Sequence, residues 1–169
     1  MLQQLDAITQ GTLDVGFIRP PVPLPEGIAV VPLLDEELLI ALPSVHPHAS
    51  DPTIALHDLR NEIFITPQHP QRVSFNAHTV NACMAAGFEP HLGPQGRDFM
   101  TIASMVSVGL GVALVPKSVH CIRLPNVVYR PLTGEIPHGP LAVAFRRGDP
   151  SITVKNFIAL ARRLAKKTG

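Results

Sequence analysis

The segment from Ala86 to Pro116, AGFEPHLGPQGRDFMTIASMVSVGLGVALVP, leaves the fewest choices of fold. Gly87 ends a helix, Phe88 to Leu92 forms a short strand, and a turn leads to Asp98, whose carboxylate suits the N-cap of a second helix. Phe99, Ile102, Ala103 and Val106 fall on one face of that helix. Gly109-Leu-Gly111 breaks it, and the apolar strand Val112 to Val115 is closed by Pro116. Strand, helix and strand in this order build a small α/β lobe with helix N-termini along one edge. No side chain in the segment is equipped for catalysis, which favours a lobe that binds something small.

The remainder alternates in the same way. Leu2, Leu5 and Ile8 have helical spacing and Gly11 is their stop. Leu13 to Ile18, Ile28 to Leu34 and Leu38 to Leu42 read as three strands. The last is apolar on both faces, as in a buried sheet. Prolines 20, 21, 23 and 25 hold the first connection extended. Pro43 to Pro52 is a loop, Leu56 to Leu59 one helical turn, and Glu62 to Thr66 a strand. A helix is expected from near Ser74 to Gly87, with Val73, Ala77, Val80 and Met84 as its apolar stripe. Val127 to Leu132 and Leu141 to Phe145 are strands. A final helix starts near Ser151, with Val154, Phe157, Ile158, Ala161, Leu164 and Ala165 on its apolar face. The class is α/β with partly parallel sheets. The central run looks self-contained, whereas the first and last parts each look incomplete alone. This predicts two lobes, one of residues 38–120 and one combining 1–37 with 121–169. Two chain crossings would form a hinge, and the cleft between lobes is the natural ligand site.

Composition excludes several functions. The 169 residues are 46% hydrophobic and carry a formal net charge of +1, so no global field favours nucleic acid or an anionic membrane. Arg162, Arg163, Lys166 and Lys167 cluster in the last helix, where cations suit the dipole. Cys83 and Cys121 make no disulfide framework, which fits a reducing compartment. No apolar run spans a bilayer and the N-terminus lacks a secretory signal, so a cytoplasmic location is expected.

Gly109 and Gly111 follow a helix and precede a strand, the reverse of a dinucleotide fingerprint. Among eight histidines only His46 and His48 are close in sequence, too few for a metal site. Neither a nucleophile elbow nor a Walker A pattern occurs, and Cys83 is placed to pack rather than react. The loop TPQHPQRVSFN, from Thr66 to Asn76, joins a strand end to a helix start, where open α/β sheets bind ligands. Ser74 could cap the helix or bond a ligand, and Phe75 could be core or an apolar wall. Gln95 to Met100 opens the next helix toward the same crevice, with Arg97 either a surface charge or an acid's partner. Arg19 ends the strand LDVGFI, as an anion clamp or as half of a hinge salt bridge with Asp98.

Taken in order, QGTLDVGFIR, EELLIALPSVHPHA, AAGFEP, VSVGLGVALVP, RLPNVVYRPL and LAVAFRRGD resemble the effector-binding domain of LysR-type transcriptional regulators across essentially the whole chain. GFIR and PQHPQRVSF resemble the regulators of aromatic degradation in particular. The resemblance implies a two-lobed, type 2 periplasmic-binding-protein-like fold and no cofactor, metal or catalytic activity. It implies an effector cleft with Arg19, Val73, Ser74 and Phe75 on one part and Gly96 and Phe99 opposite. The effector would be a small aromatic or dicarboxylic acid, and the domain a homodimer or tetramer. The family's winged helix-turn-helix and the opening elements of lobe I have no counterpart here, so lobe I is expected to be truncated and DNA contact to need the missing part. A solute-binding protein of the same fold is the alternative, and an enzyme on that fold ranks below it.

Overall fold

The computed structural model describes residues 2–20, 23–68 and 75–168. The chain divides into two compact units, Met1–Asp35 with Pro140–Gly169, and Glu36–Gly139.

The second unit is centred on stretches buried on both faces, residues 64–67 and 113–116. Strand β2 (Ile28–Pro43) is one continuous strand of 16 residues, where the sequence suggested two. The acidic run Asp35-Glu36-Glu37 does not break it. Within this unit β2 pairs antiparallel with β6 (Ala113–Pro116) on one side and β7 (Val127–Thr133) on the other. β7 pairs in parallel with the short β3 (Ile54–Ala55). Strand β4 (Ile63–Pro67) pairs in parallel with β5 (His91–Gly96), and a parallel bridge from Phe64 to Val112 carries β4 onto the start of β6. Strand β5 begins later than the expected Phe88. That residue instead packs its ring 6.1 Å from Phe64.

Period-two alternation sorts the side chains onto two cores. Leu38, Ile40, Leu42, Phe64 and Leu114 lie in one cluster, covered by helix α2 (Phe75–Ala85) through Phe75 and Cys83. Ala41, Ile65, Ala113 and Val115 lie in the other, covered by helix α3 (Phe99–Ser107) through Ile102 and Val106. Phe99 packs against both. The α2 stripe differs from the expected one. Phe75, Asn76, Thr79 and Cys83 are buried, while Met84 is 58% exposed. Burial puts the Cys83 thiol up to about 12, so it packs as an apolar group. Residues 121–139, expected with the terminal lobe, belong to this unit because β7 is held by β2 and β3.

The first unit pairs β1 (Val15–Ile18) antiparallel with β8 (His138–Arg146), in register from Val15 with Phe145 to Ile18 with Ala142. Helix α1 (Leu2–Thr9) seals one face through Leu5 and Ile8, which cluster with Ile18, Ile28, Ala142 and Ala144. Helix α4 (Ile152–Thr168) seals the other through Val154 and Ile158, against Val31 and Val143. Arg146 ties these parts together. Its guanidinium donates to the Leu13 carbonyl at 2.8 Å and pairs with Asp14 at 2.7 Å and Asp149 at 2.8 Å. Asp149 also accepts from the Ser151 amide at 2.9 Å, which sets the start of α4. Part of the expected apolar face of α4 is open: Phe157 is 37% and Leu164 53% exposed.

β1 has β8 as its single neighbour among the described strands, and Phe17 on it is 50% exposed. In the second unit β6 is buried along its whole length and β4 from Phe64 onward. Local opening should therefore be easier in the first unit. In hydrogen exchange the amides of Val15–Ile18 are expected to exchange well before those of Phe64, Ile65 and Val115. Equal protection in both sets would contradict this ranking.

Candidate functional site

Parallel pairing of β4 with β5 places the carboxyl ends of two strands side by side, with Thr66 opposite Gln95 and Pro67 opposite Gly96. The Gln68 amide extends this pairing by donating to the Gly96 carbonyl at 2.8 Å. Helices α2 and α3 begin just beyond these ends. Their first residues, Phe75 and Phe99, meet edge to face with ring centroids 5.1 Å apart and planes at 87°, a favoured aromatic geometry. The Phe75 ring also lies 5.4 Å from that of His78.

Asp98 caps α3 as expected: its carboxylate accepts from the Thr101 amide at 2.8 Å. That bond holds the Asp98 carboxyl below the usual carboxylate range, with the charge of Arg97 a smaller contribution. Gly96 is fixed by lack of space. A Cβ there would stand 2.6 Å from Ile102 Cγ1 and 3.1 Å from the Ile102 amide nitrogen. The glycine lets β5 turn tightly into α3.

The structure thus brings Phe75, Gly96 and Phe99 together. Phe75 is only 3% exposed and belongs to the core, so it backs the site more than it opens onto it. Arg19 belongs to the first unit and follows β1 directly, half-buried. Val73 and Ser74 lie outside the described residues.

Sequence reasoning passed over a buried polar group beside this point. Thr66 at the end of β4 and Asn76 and Thr79 on α2 are all buried. The hydroxyls of Thr66 and Thr79 have no hydrogen-bond partner among the described residues. Buried hydroxyls left unbonded cost stability, so a polar partner here has a ready role. A threonine ending the strand EIFIT was the available signal.

The histidine loop is structural. His46 Nδ1 accepts from the His48 amide at 3.1 Å, His46 Nε2 stands 3.4 Å from Glu62, and His48 pairs with Asp51 at 2.7 Å. No group of three or more His, Cys, Asp or Glu able to hold a metal occurs among the described residues. No helix among them is long and apolar enough to cross a membrane.

The LysR substrate binding domain family matches residues 1–166. The chain belongs to that family. It is 33% identical over 168 residues to the Hca operon transcriptional activator HcaR of Escherichia coli (strain K12), covering 98% of this chain and 56% of the relative. It therefore spans just over half the length of that curated relative. It superposes on the BenM effector binding domain with its effector benzoate at TM-score 0.81 and 27% identity, covering 100% of this chain and 77% of the other. On CbnR, a LysR family transcriptional regulator, the TM-score is 0.84 at 26% identity, covering 96% of this chain and 56% of that one. The fold is thus the two-lobed, periplasmic-binding-protein-like fold of LysR effector-binding domains. HcaR is described as a transcriptional activator and CbnR as a transcriptional regulator.

Asp98 gives a pH test of the α3 cap. Its folded pKa is depressed, so its charge contributes stability above the ordinary aspartate value and loses that contribution as pH falls through the folded one. Asp98→Asn keeps an acceptor oxygen but no charge. The variant is expected to melt below wild type at neutral pH, with the gap closing below about pH 4. A gap that stays constant into acid would remove the charge from the account.

Proposed function

We propose that this chain is the effector-sensing domain of a LysR-type transcriptional regulator of the aromatic-degradation group, and that it binds a small aromatic or dicarboxylic acid. The observation that carries this is the edge-to-face pair of Phe75 and Phe99 at the adjoining ends of β4 and β5, beside the buried Thr66 hydroxyl. Apolar walls with a few polar groups suit a ring bearing a carboxylate. The likeness to a BenM domain holding benzoate supports the same class of ligand.

In this reading the first unit belongs to lobe I and the second is lobe II of the effector-binding domain. The residues proposed to serve the acid are Arg19, as charge for the carboxylate, with Val73, Ser74, Phe75, Gly96 and Phe99. The domain acts as a homodimer or tetramer in the cytoplasm. It reaches DNA through a winged helix-turn-helix carried by a longer polypeptide. The acid controls transcription by binding one arrangement of the lobes more tightly than another, which is the only way a ligand shifts such an equilibrium.

Thermal-shift screening with benzoate, muconate and other aromatic or dicarboxylic acids tests this. A ligand at a hundredfold excess over its Kd stabilises the folded state by about 2.7 kcal/mol, which raises the melting point of a domain this size by several degrees. Phe75→Ala is expected to weaken the active acid by roughly tenfold through loss of the aromatic pair. Arg19→Ala should weaken the acid but spare its uncharged amide. If both variants titrate like wild type, the site assignment is wrong. If no acid of either class shifts the melt, so is the ligand class.

A further inference from the structure

We propose that Gly139 is a positioning residue that couples the Phe75 ring to strand β8, so that occupancy of the effector site is transmitted at the residue where β8 leaves one unit for the other. The inference rests on the effector reading given above and adds the route by which the site would act.

The unit boundary falls inside β8, with Gly139 the last residue on one side and Pro140 the first on the other. Gly139 is buried and its φ is not positive, so its backbone does not call for glycine. A glycine inside a strand weakens it, and its usual reason there is close approach of another group. Two side chains approach it, Leu38 and Phe75. A Cβ at Gly139 would stand 3.0 Å from Phe75 Cε2 and 2.9 Å from Leu38 Cδ2. Leu38 is fully buried, shares a cluster with Phe75, and lies on β2 only three residues past the same unit boundary. Its amide donates to the Pro137 carbonyl at 2.8 Å, which holds β2 against the approach to β8.

Phe75 and Leu38 thus both close on Gly139 and share one core cluster, beside the points where β2 and β8 cross between the units. The Phe75 ring also meets Phe99 edge to face, at the strand ends where the acid is proposed to bind. Close-packed interiors do not absorb displacement gradually; a ring pushed on one side must be accommodated on the other. Phe75 has the missing Cβ of Gly139 behind it. Its burial suits this role better than that of a lid.

The test compares wild type, Phe75→Leu, Phe99→Leu and Gly139→Ala by NMR of the labelled chain, with and without benzoate. Without ligand, Phe75→Leu is expected to displace the Gly139 signals, and the displacement should continue to Leu141, Ala142 and Val143. Phe99→Leu should move these signals less. Benzoate should displace the same wild-type signals, and Gly139→Ala should change the benzoate Kd by roughly fivefold or more while far-ultraviolet circular dichroism is retained. If Phe75→Leu leaves Leu141 to Val143 unmoved, the coupling does not exist. If wild type binds benzoate while Gly139→Ala binds it equally well, the coupling carries no signal; either result overturns the proposal. If wild type ignores benzoate, the effector reading fails for that acid, and the ligand-free Phe75→Leu comparison alone decides the coupling. A poorly folded Gly139→Ala leaves that comparison intact, because it does not alter residue 139.

Discussion

Parallel pairing of β4 with β5 is the constraint on which the candidate site depends. Parallel neighbours need a crossover, and here the crossover is α2. Both strands then end on the same side, and the helices that follow begin there together. Without this pairing Phe75 and Phe99 would have no reason to meet, since 24 positions separate them in the chain. The glycine at 96 completes the arrangement by letting α3 start against the end of β5. The two aromatic residues are thus consequences of topology as much as of sequence.

The elements easiest to read were those whose signals are local. Asp98 is a capping aspartate followed by a clean apolar face, and the structure has both. The strand LLIAL is apolar on both faces and is packed on both. Harder elements were those in which tertiary packing overrides local pattern. The α2 stripe was misplaced because Asn76 and Thr79, polar by type, are buried, while the apolar Met84 is exposed. HLGPQG, with glycine and proline at its centre, has no strand signature, and becomes β5 because β4 offers it an edge. The acidic triplet at 35–37 reads as a break, yet β2 passes through it, with Glu37 held by Lys117 at 3.0 Å.

The site was legible to a similar degree. Loops at strand ends followed by helix starts are where α/β sheets bind ligands, and that rule pointed to the loop before Phe75 and to residues 95–100, while the family resemblance singled out Gly96 and Phe99. The same rule does not show that Phe75 would be core, nor that a threonine at the end of β4 would be buried without a partner among the described residues. Gly139 gave no sequence signal at all, because a strand glycine acquires meaning only from the atom that approaches it. Family membership then assigns these features to a LysR substrate binding domain.

The most direct test of the account is a crystal structure of the chain with the acid that gives the largest thermal shift. The acid's ring is expected beside Phe75 and Phe99 at the ends of β4 and β5. A ligand bound elsewhere, with this region unchanged, would contradict the central claim.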